Sequence, residues 1–110
     1  KILMKTKIII TTFQCNDSKK NDIANELIEK ELAICINLLP NITSIYSWND
    51  KVMNANESMM LIKTIESNID NIKNYLKLKH PYDTPELISI DFDILSKHYN
   101  NWFFSNIKDA

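Results

Sequence analysis

The chain has 110 residues and a formal net charge of -1, with 13 lysines against 14 acidic residues and no arginine. This length fits one domain, residues 1–110, built around one hydrophobic core. The charge balance disfavours a nucleic-acid binder, because phosphate contacts need a surplus of cations. Glycine is absent, which excludes glycine-rich phosphate loops, and no apolar run approaches the roughly 18 residues that cross a bilayer.

A strand and a helix are the first elements along the chain. Residues 8–13 form a β-branched run, typical of a buried strand. Asn16, Asp17 and Ser18 come next, and residues of these types cap the amino ends of helices. Five apolar residues then recur at helical spacing and predict a helix with one buried face: Ile23, Ala24, Leu27, Ile28 and Leu32.

Residues 33–65 predict an unusually long β-hairpin. Asn49 and Asp50 suit a tight primed turn, and each arm has about 14 residues, well above the usual strand length of about 5–6. Pro40 lacks an amide donor and marks a bend or bulge in the first arm. The polar residues 54–57 predict a second irregularity in the other arm.

The remaining elements complete a split βαβ pattern. A second helix follows Ser67 and ends at His80, because Pro81 disfavours a helical residue before it. Residues 86–92 alternate apolar and polar side chains, which predicts a strand with one wet face, and Ser96 is a candidate cap for a last helix. The order β-α-β-β-α-β-α predicts an α+β, ferredoxin-like fold with two helices on one face of a four-stranded antiparallel sheet.

The length of the hairpin carries a further prediction. Arms of about 14 residues span about 45 Å at about 3.3 Å per residue, more than the sheet of so small a domain can pair. The overhang is apolar and consists of Ile45, Tyr46, Trp48, Val52 and Met53. An uncovered apolar strand end promotes aggregation. We therefore expect a closed homo-oligomer in which other copies of the chain cover this end by strand addition.

The chemistry-bearing residues favour a binding protein over an enzyme. No nucleophile elbow or metalloprotease helix is present, and Cys15 is interpreted as an unreactive loop thiol. The candidate soft ligands suit copper better than magnesium or calcium: Cys15, Cys35, Met53, Met59, Met60, His80 and His98. For Cys35, however, a small packing residue in a strand is the default interpretation.

Two further features leave alternatives open. Residues 80–86 combine two prolines with an imidazole, a phenol and two carboxylates, which fits either a rigid binding loop or a stiff connector. Lys63 lies in an apolar strand, where it either extends its ammonium to solvent or pairs with a carboxylate such as Glu86.

Four motifs in order resemble the CutA-type divalent cation tolerance proteins. Residues 32–40, LAICINLLP, resemble that family's Leu-Ala-Ala-Cys-Val-Asn-Leu-hydrophobic-Pro stretch, and residues 43–48, TSIYSW, are similar to its Thr-Ser-x-Tyr-x-Trp. Residues 62–64 match its Ile-Lys-Thr strand, and residues 80–86, HPYDTPE, match its His-Pro-Tyr-Glu-x-Pro-Glu. Tyr99 and Trp102 fall where the family has Tyr-x-x-Trp.

The resemblance implies a trimer like that of the PII signalling proteins and a link to tolerance of copper and other divalent cations. Together with the lack of catalytic motifs in the sequence, our prediction is a non-enzymatic protein. By position, it implies three metal ligands, Cys35, His80 and Glu86, and three residues that line a ligand cleft, Lys63, Tyr82 and Trp48. Copper(II) or a similar divalent cation is the implied cofactor, held between subunits.

Two rival functions remain at this stage. One is a PII-like small-molecule sensor in which Lys63, His80 and Glu86 bind a polar or anionic metabolite, and the other is a structural anchor trimer without a physiological metal. Two cysteines in a chain that needs no disulfides favour a reducing compartment. We therefore expect a cytoplasmic location, or an organelle if a targeting segment precedes Lys1.

Overall fold

The structure, a computed structural model, describes residues 4–107. It confirms the predicted order of elements: β1 (Thr6–Gln14), α1 (Lys19–Glu29), β2 (Cys35–Trp48), β3 (Lys51–Ile65), α2 (Ile69–Lys79), β4 (Ile88–Asp91) and α3 (Lys97–Asn106). The strands form one antiparallel sheet in the order β2-β3-β1-β4. The predicted α+β, ferredoxin-like arrangement is therefore confirmed. Within the described residues, no helix is long and apolar enough to span a membrane.

The core lies between one face of the sheet and helices α1 and α2. Alternate residues of the central strands point into it because successive side chains of a strand face opposite sides. The buried set combines sheet and helix residues: Ile9, Phe13, Met60, Ile62, Ile23, Leu27, Ile72 and Leu76. Met59 is half-exposed next to the fully buried Met60, as expected for neighbours on a strand.

The start of α1 is stabilised by one of the three predicted cap residues, Asp17. Ser18 occupies the cap position but makes no side-chain cap hydrogen bond. The carboxylate of Asp17 instead accepts the Lys19 backbone N–H at 2.9 Å, so the neighbouring residue stabilises this helix end. In α3 the prediction is confirmed, since Ser96 Oγ accepts the Tyr99 N–H.

The hairpin is as long as predicted. Its strands have 14 and 15 residues, and Asn49 and Asp50 join them with φ angles of 51° and 62°. Both angles lie in the left-handed region that a type I′ turn requires. The register shifts between Leu39 and Ile42, next to Pro40, which confirms the bulge in the first arm. The prediction of a second irregularity in the other arm was wrong, because residues 54–57 pair without a break. A polar side chain does not by itself interrupt the hydrogen bonds between two strands.

Only the half of the hairpin that lies away from its turn belongs to the four-stranded sheet. Strand β1 ends opposite Glu57, so the part of β3 beyond it pairs with β2 alone. The apolar residues of this overhang are exposed: Ile45 67%, Tyr46 44%, Trp48 54%, Val52 75% and Met53 39%.

The second face of the sheet is only partly covered. Strand β4 is shorter than predicted, and its apolar side chains Ile88 and Ile90 are 48% and 45% exposed, so both faces of this strand meet solvent. Helix α3 contributes Phe103, which is fully buried and packs edge-on against Phe92. Helix α3 therefore covers part of this second face, whereas α1 and α2 pack on the first face.

Candidate ligand and cation site

His80 is placed by the end of α2. Pro81 gives it an extended backbone, with ψ at 133°, while its own N–H still bonds the Leu76 carbonyl at 2.8 Å. The imidazole stacks on Phe13, with ring centroids 4.3 Å apart and an interplanar angle of 11°. Only 8% of His80 is exposed, so the ring extends the core and does not line an open cleft.

Hydrogen bonds fix the tautomer of this imidazole. Nδ1 accepts the backbone N–H of Tyr82 at 3.1 Å, so Nδ1 carries no proton. Nε2 lies 3.0 Å from the Thr12 carbonyl oxygen, which can only accept, so Nε2 carries the proton and donates it. Nε2 is also 3.0 Å from Thr11 Oγ1. The ring is therefore a neutral imidazole with both nitrogens engaged.

Burial reinforces the neutral form of His80. Removal of the ring from water lowers its pKa, and this effect outweighs the Thr12 carbonyl, Asp17 and Glu57, which favour the cation. A metal ion needs an imidazole lone pair, and the one on Nδ1 holds the Tyr82 N–H. His80 can thus bind a cation through Nδ1 only if the turn at Tyr82 moves away.

Tyr82 connects the same loop to the hairpin. Its hydroxyl donates to Glu57 Oε2 at 2.6 Å, and Glu57 is 7% exposed. Burial and then Glu57 raise the pKa of the Tyr82 hydroxyl, so it stays a donor at neutral pH. Sequence reasoning missed Glu57, and the one available signal was an acidic residue beside the buried positions of a strand.

Cys35 and Lys63 lie on a different surface. Cys35 begins β2, is half-buried, and stands directly opposite Lys63 on β3. Because the next residue, Ile36, packs on the core, Cys35 faces the other side of the sheet. Within the described residues, Lys63 forms no ion pair. The suggested pairing of Lys63 with Glu86 is therefore not formed within one chain.

The structure brings the predicted site residues together only in pairs, His80 with Tyr82 and Cys35 with Lys63. His80 stacks on the core face, whereas Cys35 lies on the opposite face. Trp48 pairs with Lys51 at the hairpin tip, roughly 40 Å along the strand from Cys35 at about 3.3 Å per residue. Glu86 is exposed ahead of β4. Across residues 4–107, no three His, Cys, Asp or Glu side chains form a group that could hold a metal. The three-ligand assignment stays a prediction that needs another copy.

A cleft of about 590 Å³ opens where β1 stops and the hairpin continues. Side-chain amides dominate its lining, which consists of Gln14, Cys15, Asn16, Asn41, Ala55 and Asn56. Asn41 belongs to the bulge and has a left-handed backbone, with φ at 59°. Its backbone N–H points at the sulfur of Cys15. Sequence reasoning did not find this cleft, because it depends on a bulge meeting a strand end.

Cys15 is more polarised than a free loop thiol. Its Sγ accepts hydrogen bonds from Ser58 Oγ at 3.6 Å and from the Asn41 N–H at 3.3 Å, and it lies 3.2 Å from Asn41 Oδ1. The Ser58 bond, the Asn41 bond and the charge of Lys20 lower the pKa of the thiol against a smaller effect of burial. This environment differs from the unreactive thiol that the sequence favoured.

Comparison with known proteins gives one consistent result. The sequence profile of a family described as CutA1 divalent ion tolerance protein matches residues 7–106. A divalent-cation tolerance protein CutA of Pectobacterium atrosepticum is 34% identical over 92% of each chain. A CutA homolog of Xenopus laevis is 38% identical over 79% of this chain and 58% of that protein. The chain spans about half the length of the mouse relative, 49%.

Solved structures agree with the sequence matches. The crystal structure of CutA1 from Oryza sativa superposes with a TM-score of 0.88 at 29% identity, covering 96% of both chains. That of the divalent ion tolerance protein CutA1 from Ehrlichia chaffeensis superposes with a TM-score of 0.82 at 30% identity, covering 94% of this chain and 96% of the other. The fold is therefore shared.

Proposed function

The chain belongs to the CutA1 divalent ion tolerance protein family, and on that premise we propose that it is a non-catalytic homotrimer that binds copper(II) or a similar divalent cation at clefts between subunits. Cys35, His80 and Glu86 are the proposed ligands, and Lys63, Tyr82 and Trp48 the proposed cleft residues. The family's link to divalent cations supports the ligand class, and the soft side chains of this chain favour copper within it.

The observation that carries this proposal is the exposed apolar overhang of the hairpin. Trp48 and Val52 are 54% and 75% exposed on strands that pair only with each other. A closed assembly of several copies of the chain is the simplest arrangement that buries such a surface. No three His, Cys, Asp or Glu side chains of residues 4–107 form a metal-binding group within one chain, and the proposal therefore places the cation between copies.

Copper titration tests the cation site directly. We expect saturable binding of copper(II) to the purified oligomer by calorimetry under argon, and at least about tenfold weaker binding for Cys35→Ser, since a lost ligand commonly costs an order of magnitude or more. Cys15→Ser is the matched control and should keep wild-type affinity. A metal-soaked crystal with anomalous scattering would locate the ion independently.

Two results would contradict the proposal. One is the absence of saturable copper binding by a well-folded oligomer. The other is wild-type affinity in Cys35→Ser combined with His80→Ala, which would remove both soft ligands from the site. Retained affinity there, together with a loss in Cys15→Ser, would move the site to the amide-lined cleft.

A small-molecule sensor is the second candidate, and one feature of His80 favours it. Both nitrogens of this imidazole already hold hydrogen bonds, so the ring orients the loop and has no lone pair free for a metal while the turn at Tyr82 stays in place. Saturable binding of a metabolite without any copper effect would select this function. A pure anchor trimer would bind neither copper nor metabolites.

The cytoplasm is the proposed location, with an organelle as the alternative. Two plant relatives carry the word chloroplastic in their names, and the free thiols Cys15 and Cys35 fit a reducing compartment. Imaging of the tagged full-length protein in its own cell distinguishes the two locations.

A further inference from the structure

A cleft of about 590 Å³ lies beside Cys15, where β1 ends and the hairpin continues. Its volume falls within the range of about 300–1,000 Å³ that small-molecule sites occupy. Three separate segments form its walls: the end of β1 with the loop after it, the bulge of β2, and the outer part of β3. None of the proposed cation or sensor residues lines it, so those functions leave this cleft unused.

The lining of the cleft is polar and uncharged. Side-chain amides supply most of it, from Gln14, Asn16, Asn41 and Asn56. Each amide offers both a carbonyl acceptor and N–H donors, and no lysine, aspartate or glutamate is among the lining residues. The cleft therefore favours a ligand that itself presents hydrogen-bond donors and acceptors in alternation, and a short peptide is such a ligand.

The backbone ladder between β1 and β3 is incomplete at this cleft. Facing residues of an antiparallel pair exchange two hydrogen bonds at the narrow positions, but Cys15 and Asn56 make only one, from the Cys15 N–H to the Asn56 carbonyl at 3.2 Å. The Cys15 carbonyl instead accepts the Lys20 ammonium at 2.9 Å. Within residues 4–107, the Asn56 N–H has no backbone partner, and β3 runs on past it with no strand on the β1 side. The carbonyl of an extended peptide can accept this N–H and continue the line of β1.

Hydrogen bonds activate the sulfur of Cys15 at the wall of the cleft. Sγ accepts them from the fully buried Ser58 hydroxyl at 3.6 Å and from the Asn41 N–H at 3.3 Å. Both donors favour the thiolate, and together with the charge of Lys20 they hold the pKa of Cys15 below its usual value. As a thiol the group donates to Asn41 Oδ1 at 3.2 Å, and a flip of that amide presents N–H donors to the thiolate. The thiolate is the form that attacks a disulfide.

We propose that this cleft binds a small peptide disulfide and that Cys15 exchanges with it, so that the thiol becomes a mixed disulfide with the peptide. The Cys15 thiolate attacks one sulfur of the bound disulfide, the S–S bond of the peptide breaks, and a new S–S bond forms to Sγ. The proton that Cys15 gave to solvent returns to the departing peptide thiolate. The Cys15 sulfur is oxidised and the departing sulfur is reduced, so no further oxidant is needed.

The expected compartment supplies such a ligand. Low-mass peptide thiols and their disulfides buffer the thiols of reducing compartments, and the free cysteines of this chain fit such a compartment. The site goes beyond the cation and sensor proposals and depends on neither of them.

Exchange kinetics of the purified oligomer test the site. Glutathione disulfide is the peptide probe, hydroxyethyl disulfide is the probe without peptide groups, and peptide mass mapping follows each cysteine separately. With glutathione disulfide we expect the rate at Cys15 to saturate with probe concentration and to exceed the rate at Cys35, the other half-buried thiol, at least about tenfold. With hydroxyethyl disulfide the rate at Cys15 should rise linearly, and the ratio of the rates at Cys15 and Cys35 should be several-fold smaller.

Asn56→Ala tests the contribution of the cleft wall. The substitution removes a lining amide but leaves the backbone and sulfur contacts in place. It should weaken the apparent affinity for glutathione disulfide several-fold and leave the rate with hydroxyethyl disulfide unchanged. Asn54→Ala, at an exposed residue of the same strand outside the lining, is the matched control and should react as wild type. Gln14→Ala, at another exposed lining residue, keeps the test available if Asn56→Ala does not fold.

Three outcomes would overturn the proposal. The first is the absence of a mixed disulfide at Cys15 in the wild-type oligomer. The second is a ratio of the rates at Cys15 and Cys35 that is equal for the two disulfides, which would reduce the reaction to thiol reactivity alone. The third is an equal effect of Asn56→Ala and Asn54→Ala on the reaction with glutathione disulfide. Since no copper enters these measurements, the cation proposal and this one fail separately.

Discussion

His80 acts at the scale of a single residue as a joint between three segments. Its ring stacks on Phe13, donates to the Thr12 carbonyl and accepts the Tyr82 N–H. The contact with Tyr82 requires the neutral imidazole, because a proton on Nδ1 would face the N–H of Tyr82. The loop that the family resemblance singled out is thus fixed to β1 by one uncharged side chain.

This arrangement predicts a dependence of stability on pH. The pKa of His80 is lowered in the folded chain, mainly by burial, from about 6.5 in the unfolded chain. The stability that it contributes is therefore complete above about pH 6.5 and is lost as the pH falls from there toward the folded pKa. The free energy of unfolding is measured in denaturant between about pH 5 and 8. As the pH falls over this range, it should decline less steeply in His80→Gln than in wild type.

His98→Gln provides the control for that measurement. His98 is exposed on α3, so this variant should keep the wild-type slope. Equal slopes in His80→Gln and wild type would contradict the account of a buried neutral ring.

Cys15 gives a second prediction at the residue scale. Because Ser58 is the first cause of its lowered pKa, Ser58→Ala should raise that pKa and slow the alkylation of Cys15 by iodoacetamide near neutral pH, since the thiolate is the nucleophile. Peptide mass mapping over time gives the rate for this cysteine alone. A rate in Ser58→Ala equal to or above that of wild type would refute the role of the hydroxyl.

Sequence reasoning located the residue types of the site but not their partners. The histidine loop was recognised, yet Thr11 lies 69 positions from His80 and Glu57 lies 25 positions from Tyr82. Such contacts arise only when strands pair and helices pack, and a linear pattern of single residues does not encode them.

Helix α1 shows, at the scale of an element, what a chain without glycine requires. The helix ends in a Schellman arrangement, in which the Glu31 N–H bonds Ile28 and the Leu32 N–H bonds Leu27. Glu31 takes the left-handed position, with φ at 60°, where glycine is usual. A residue with a Cβ is disfavoured there by roughly 1–2 kcal/mol.

Glu31→Gly should therefore stabilise the protein. Relief of the left-handed backbone strain should raise the free energy of unfolding by about 1 kcal/mol. The greater entropy of glycine in the unfolded chain should remove part of that gain. Glu29→Gly is the matched control, because Glu29 lies in the helix and the same change there should lower stability by about 1 kcal/mol. Denaturant unfolding measures both, and a loss of stability in Glu31→Gly would contradict this interpretation.

Secondary-structure elements were predictable wherever the hydrophobic periodicity and the turn or bulge residues indicated the same boundaries. The Asn49-Asp50 turn and the bulge beside Pro40 both followed from local chemistry. Strand β4 was predicted too long at both ends, because its apolar residues continue beyond the four residues that pair with β1. Strand length depends on the neighbouring strand, which a local pattern cannot reveal.

At the scale of the whole molecule, two apolar surfaces have no cover from residues 4–107 of the same chain. One is the overhang of the hairpin, and the other is the exposed side of β4, where Ile88 and Ile90 lie. The chain measures 50 Å along its longest axis, and the hairpin accounts for most of that length at about 3.3 Å per residue. We expect the proposed homotrimer to cover both surfaces.

The mass of the assembly in solution, measured by light scattering, tests that claim most directly. We predict three times the 12.9 kDa of one chain, and a lower mass for Val52→Lys, which places a charge on the overhang. Leu78→Lys, at a residue 83% exposed on α2, is the matched control and should keep the wild-type mass. A stable, well-folded wild-type protein of 12.9 kDa would contradict the account.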